Sequence, residues 1–286
     1  MHTKRYVIGL FFVFIFATSQ VFADGARPRF AEALKPEEVR PFFESFLNQR
    51  LQGDYTFKFL LEHLPRRGRT VRYEGILWGS WNEYGPVTRF AMHPNGAQQK
   101  AGRSNDMEWI FQNGRKQKVW SRTKRSDKFV PMESDKLMEP LFKGVLYRPF
   151  DLLMPFIHWE DYQYEGSKAV GARLVHQFLM MPPAGYDLPG VHAVRLGLDS
   201  EYQALLRIEI LDENKKTATQ FEVESFKKVQ GQYIVKRITL GEKLSGDRTR
   251  FRVVSAALNL KLPVQIFEAE ENDYAPSFVS EQFNDL

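Results

Sequence analysis

The chain has 286 residues, no cysteine, and 40 basic against 35 acidic side chains, for a formal charge of +5. Without cysteine there is no disulfide framework, so the protein must hold itself together with a hydrophobic core. The charge excess is mild, and basic residues interleave with acidic ones, as in KKVQGQYIVKRITLGEKLSGD, which argues against the strongly basic face of a nucleic-acid binder.

The first stretch is MHTKRYVIGLFFVFIFATSQVFADG. Lys4 and Arg5 precede an apolar run from Tyr6 to Thr18, a polar break follows, and Val21-Phe22-Ala23 has the small-residue character of a cleavage site. Residues 1–23 therefore read as a cleaved secretory signal. The apolar run is too short for a membrane anchor, which needs about 20 residues. No cysteine follows to carry a lipid. Residues 24–286 are expected as one soluble, unanchored domain, periplasmic in a cell with an outer membrane.

After a polar lead-in, a helix is expected over 36–52. Pro36, Glu37 and Glu38 suit its first turn. Val39, Phe42, Phe43, Phe46, Leu47 and Leu51 recur at helical spacing, and Gly53 ends it. Pro41 either kinks this helix or marks its start.

From Asp54 the period changes to two. DYTFKFLLEHL, TVRYEGILWGSW, PVTRFAMHP, DMEWIFQNG and RKQKVWSR read as successive strands, punctuated by RRG, NEYGP, HPNG and QNGR. Asn113-Gly114 is the strongest hairpin signal. Residues 133–156, ESDKLMEPLFKGVLYRPFDLLMPF, break the alternation and hold Pro140, Pro149 and Pro155. They are expected as one or two short helices crossing one end of the sheet. Strands resume after Trp159: YQYEG, ARLVHQFLMMP, VHAVRLGLDS, QALLRIEILDE, TATQFEVESFKKV, QYIVKRITLGE and DRTRFRVVSAAL. The short turns between them imply an antiparallel meander. A polar and aromatic tail, 263–286, is expected to wrap over the body. The fold class is mainly β (α+β): an open, incomplete antiparallel barrel of 11–12 strands with helices over its apolar face.

Chemistry-bearing motifs are sparse. In IHWEDYQYEG, His158 and Glu160 share one face of an extended chain and Asp161 the other, so a metal site would need a ligand from elsewhere. His63, His93, His176 and His192 stand alone, with no HxH or HExxH. There is no GxSxG and no Gly-rich phosphate loop. The pairs Ser121–Lys124 and Ser225–Lys228 have SxxK spacing without its companion motifs. No catalytic residue, metal ligand or cofactor site is assigned, and the chain is read as a non-enzyme. His158, Glu160 and Asp161 are read as the point where the chain leaves the helical insertion and re-enters the sheet.

The aromatic content is more telling: 24 Phe, 11 Tyr and 5 Trp. Alternation puts Met107, Trp109 and Phe111 on one face of a strand, and likewise Leu196 with Leu198, Leu206 with Ile208 and Ile210, and Phe221 with Val223. With Met154 and Phe156 of the insertion these are the candidate lining of an apolar cavity. For any single residue, core is the simpler reading. A curved sheet with few covering helices can nevertheless hold a ligand on its apolar side.

From about Leu152 to Leu262 the sequence resembles the LolA-like outer-membrane lipoprotein-sorting proteins, in particular an uncharacterised secreted branch. The resemblance rests on DLLMPFIHWEDYQYEG, on QFLMMPP, on VRLGLDSEYQALLRIEILDENKK, on FKKVQGQYIVKRITL and on SGDRTRFRV. It implies an incomplete antiparallel barrel with helices as a lid over a cavity that takes acyl chains. It also implies a periplasmic carrier of lipid or acylated lipoprotein, with an inner-membrane transporter as a candidate partner. The alternative under the same fold is a non-catalytic envelope interaction or stress-sensing module, or an accessory subunit of a lipid exporter.

Overall fold

The computed structural model describes residues 33–94, 107–114, 116–123, 128–142, 144–171, 173–186, 188–270 and 283–286. The signal segment, the HPNG turn beyond Pro94, Lys124 and residues 271–282 of the tail lie outside these residues.

Fourteen strands form one sheet, every pairing antiparallel. The first six are β1 (Asp54–Leu64), β2 (Val71–Asn82), β3 (Gly85–Pro94), β4 (Met107–Gln112), β5 (Lys118–Arg122) and β6 (Val130–Pro131). The second run is β7 (Tyr162–Val170), β8 (Arg173–Met180), β9 (Ala193–Asp199), β10 (Leu205–Leu211), β11 (Thr217–Val229), β12 (Gln232–Glu242), β13 (Arg248–Leu260) and β14 (Asn284–Asp285). The spatial order is β6-β5-β4-β3-β2-β1-β13-β12-β11-β10-β9-β8-β7, with β14 on β13. The chain thus starts at the middle of the sheet, meanders out to β6, crosses to the far edge at β7, and meanders back until β13 pairs β1. The edges β6 and β7 do not meet, so the barrel stays open. The dozen expected strands are all present. The two additions, β6 and β14, have two residues each and no alternation to reveal them.

Turn chemistry sets the register. Asp199 Oδ1 accepts from the N–H groups of Glu201 (3.0 Å) and Tyr202 (2.8 Å), closing the turn into β10. Asp212 Oδ1 does the same for Asn214 and Lys216 before β11. Gly114 has φ +102°, and a Cβ there would stand 2.3 Å from the Tyr84 carbonyl oxygen, so the β4–β5 turn needs glycine.

Helix α1 (Pro36–Leu47) begins where proline and acids place it. Glu38 reaches back to accept from the Lys35 N–H at 2.9 Å. Pro41 lies inside the helix on its exposed side. The helix ends five residues earlier than the apolar spacing predicts, because Asn48 takes over capping: its backbone N–H and its Nδ2 both donate to the Glu44 carbonyl. Leu51 is buried all the same, carried in by the extended connection to β1. The helix buries Phe42, Phe43 and Phe46. Phe43 packs 5.0 Å from the rings of both Tyr162 and Phe178, which fastens α1 over β7 and β8. Burial of each ring contributes about 1.5–3 kcal/mol.

The insertion is a crossing between the two edges. It contains a 3₁₀ turn at Ser134–Met138, helix α2 (Pro149–Leu153) and a second 3₁₀ turn at Pro155–His158. Met154 joins the last two in a left-handed conformation, φ 47°.

The main core lies between the inner face of the sheet and these covers. The outer face divides in two. On β7 to β13 it carries cross-strand ion pairs such as Glu165–Arg195–Glu209. On β2 to β5 it is covered by residues 262–269 and by Phe129, making two small satellite cores around Trp78, Ala91 and Ile266 and around Val87, Ile110 and Phe129.

Candidate functional site

The inner face of the sheet and the underside of the crossing segment form one continuous apolar interior. Of the predicted lining, Trp109, Phe111, Met154, Phe156, Leu196, Leu198, Ile208, Ile210 and Phe221 all join the main cluster, and Met107 and Val223 pack against it partly exposed. Leu206 is buried but is not part of that cluster. The β9–β10 register shifts between Leu205 and Arg207, so Leu205, opposite Leu198, takes the inner position instead. Alternation carries one phase along a strand and cannot show a bulge.

The crossing segment supplies the other wall. Phe150, Leu152, Leu153, Met154, Phe156 and Ile157 are buried under it. Tyr147 meets Phe221 edge to face at 5.6 Å, and Phe142 meets Tyr73 at 4.6 Å. Met132, Leu137, Met138, Leu141, Phe142 and Leu146 are only partly covered, so the segment shows an apolar fringe at the rim of the interior.

Side-chain hydrogen bonds tie this cover to the sheet. Asn113 Nδ2 donates to the carbonyls of Leu152 (3.1 Å) and Leu153 (3.0 Å), and Gln117 Nε2 donates to Leu153 as well (3.1 Å). These donors satisfy carbonyls that the end of α2 leaves open. Further back, the Leu146 N–H donates to Thr249 Oγ1 at 3.1 Å, on β13. Arg148 grips Asp151 at the head of α2. Asn113 was legible only as a turn residue; its role as a latch depends on which segment crosses above it.

Burial pushes the Tyr147 hydroxyl well above the ordinary tyrosine value, with the Asp151 and Glu224 carboxylates adding to the effect, so it stays neutral. His176 lies at the α1 joint, its Nδ1 2.8 Å from the Tyr164 hydroxyl, and burial lowers its pKa. His158 is part of the 3₁₀ turn that leads to Trp159, and Trp159 packs edge-on against Phe156 and Tyr186. Glu160 and Asp161 are exposed. Among the described residues no three His, Asp or Glu side chains gather as a metal-binding group. Among them, too, no helix is long and apolar enough to cross a membrane.

A second polar feature escaped the sequence reading. Glu108 Oε2 accepts from Arg89 Nη2 (2.6 Å) and Nε (3.0 Å) and from Arg122 Nη2 (3.0 Å), all three side chains buried on the outer face. Alternation marks these residues as solvent-facing; residues 262–269 and Phe129 cover them.

Similar architecture occurs in solved structures. A DUF1329 family protein from Desulfovibrio piger matches with TM-score 0.67 at 10% identity, over 81% of this chain and 95% of that one. A domain from Vibrio parahaemolyticus named for outer membrane lipoprotein sorting matches with TM-score 0.68 at 12% identity, over 83% and 97%. A LolA superfamily protein from Nitrosomonas europaea matches with TM-score 0.59 at 13% identity, over 80% and 96%. The fold is LolA-like. No protein-family model and no curated protein matches the sequence. The LolA-like scaffold therefore rests on backbone geometry, with the inner face and the crossing segment as its candidate binding region.

Proposed function

We propose that this protein is a periplasmic carrier of lipid or acylated lipoprotein. Acyl chains lie against the inner face of the sheet under the crossing segment, which acts as a lid. The observation that carries the reading is the lid's construction. Its underside continues the apolar interior, and its rim shows Met132, Leu137, Met138, Leu141 and Phe142 only partly covered. Removing apolar surface from water contributes about 25 cal/mol per Å², so acyl chains need no charged partner to be held. Methionine and leucine at the rim adapt to chains of varied shape. The 1–23 signal supports export, and the role is binding without chemistry.

The test is lipid content. The precursor is expressed so that it is exported, the mature protein is purified without detergent, and an organic extract is read by mass spectrometry. A stoichiometric lipid absent from a control periplasmic protein is the expected result. The variant Ile208→Asp, if folded, should lose it.

A second reading is favoured by the depth of burial: Phe111, Leu196 and Leu198 are 0% exposed, so side chains themselves fill much of the interior. A filled interior suits a non-catalytic interaction or stress-sensing module. A lipid-free extract that stays clean after incubation with membranes decides for this reading.

A further inference from the structure

The sheet has a break near its middle, and the chain's own last strand is seated in it. The β12–β13 ladder runs from Gly241↔Arg248 to Arg237↔Arg252 and stops, although β12 continues back to Gln232 and β13 on to Leu260. β14 takes over on β13, pairing Asp285 with Ser255 and Asn284 with Ala256. At these same residues the other edge of β13 is held by β1, through Lys58↔Ser255 and Phe57↔Ala256. β14 therefore lies on the edge that β12 has left.

Its side chains mark both sides of the wall. Phe283 lies under the Lys58 ammonium, 4.4 Å from Nζ to ring centroid. Lys58 alternates with Phe57 and Phe59 of the core, so this contact is on the outer face. Leu286 packs against the main core, and its N–H donates to the Val254 carbonyl at 2.9 Å. Asp285 pairs Ser255, whose other edge is held by Lys58, and the last rung of the neighbouring β12–β13 ladder is Arg237 opposite Arg252. The seat thus has three features: a backbone edge, a cation that takes an aromatic ring, and an apolar opening that takes an aliphatic side chain. Its tenant is a two-residue strand with two paired positions, a short hold on a long edge.

The geometry points to this break as a docking slot for an extended segment of a partner protein, which adds as a strand to β13 and displaces residues 283–286. The segment fits as aromatic, any residue, acidic, aliphatic, the pattern Phe283-Asn284-Asp285-Leu286 itself presents. Strand addition draws its hold from main-chain hydrogen bonds and its selectivity from alternate side chains. An acyl chain has no groups to use such a backbone edge, so the strand-addition proposal does not rest on the carrier reading. The resident strand sets a threshold: being part of the same chain it competes intramolecularly, so that only a well-matched segment displaces it.

The test uses a fluorescent peptide of residues 277–286, SFVSEQFNDL, with the full chain and with a variant ending at Gln282. Anisotropy titration should show the shortened protein binding at least tenfold tighter than the full chain. A scrambled peptide, and one with proline in place of Asp285, should fail to compete. Equal binding to both proteins, or equal competition by the scrambled peptide, overturns the proposal. Should the shortened chain fail to fold, the full chain with Ser255→Cys and Asp285→Cys decides. No other cysteine interferes, and the two positions face each other across the ladder. Oxidation should close the slot and abolish peptide binding, and reduction should restore it. Binding indifferent to oxidation sinks the idea.

Discussion

The ring of Phe59 on β1 lies across Gly75 on β2, its register partner, so closely that a Cβ on Gly75 would stand 2.2 Å from Phe59 Cζ. The ring has nowhere to go, because Phe90 and Phe251 flank it at 4.8 and 4.9 Å. The same Cβ would also stand 2.7 Å from the Ala91 carbonyl oxygen. Gly75→Ala should therefore destabilise by about 1–3 kcal/mol, the usual cost of overpacking. The check is a double-mutant cycle by urea denaturation. Adding Phe59→Leu should recover part of the loss, whereas simple additivity of the two changes would rule out this contact as the cause.

Asn113 should matter to the crossing segment more than to its own turn. Asn113→Ala removes the donors to two buried carbonyls, those of Leu152 and Leu153, and should cost about 1–3 kcal/mol. Asn113→Asp should cost more, since it sets a carboxylate against carbonyl oxygens at a site 0% exposed. Hydrogen exchange read over residues 149–158 tests the mechanism. Faster exchange confined to that stretch is expected, and an unchanged stretch in a destabilised protein contradicts the latch.

The buried Arg89–Glu108–Arg122 group should be intolerant of losing its acid. Glu108→Gln leaves two guanidinium groups against Trp78 and Phe129 without their shared carboxylate. Breaking a buried pair this way costs about 3–5 kcal/mol. The stability of the parent protein should change little between low and high salt through this group, because buried charges are screened weakly. Thermal melts of parent and variant across ionic strength give both readings.

His176 gives stability a dependence on pH. Burial lowers its pKa, with the Asp199 carboxylate opposing, so the folded state prefers the neutral ring more than the unfolded state does. The Leu34 N–H donates to the Tyr164 hydroxyl, which leaves that hydroxyl's hydrogen for Nδ1 of a neutral His176. Phe42 covers the ring edge-on at 4.8 Å. The folded pKa is depressed below about 6.5, so this stability is fully present above that value and is lost as pH falls through the folded pKa. Thermal melts from pH 8 to 5 should fall in the parent and fall less in His176→Gln. Parallel curves would remove His176 as the cause.

Much of this was legible locally. Alternation and turn residues located all twelve long strands, because period-two burial and the Asn-Gly, Asp and Gly turns are short-range properties of the chain. The crossing segment was legible as a break in that period. The inner face was legible too, since Trp109, Phe111, Ile208 and Phe221 repeat in phase with their neighbours. Leu206 shows the limit: a bulge shifts the phase by one residue, and nothing in the run of residues announces it. The helix end shows another, since Asn48 stops α1 while the apolar spacing runs on to Leu51.

The sequence by itself determined the twelve longer strands, the antiparallel turns between neighbours and, bulges aside, which side chains share a face. Only the tertiary structure decided that β1 pairs β13, that the crossing segment bridges the two open edges, and that β14 fills the break beside β12. It alone also decided that Arg89, Glu108 and Arg122 are buried. The physical reason is common to all four. Periodicity fixes the faces of a strand, but whether a face or edge meets water or protein depends on segments far away in the chain, brought there by pairings that no local pattern encodes.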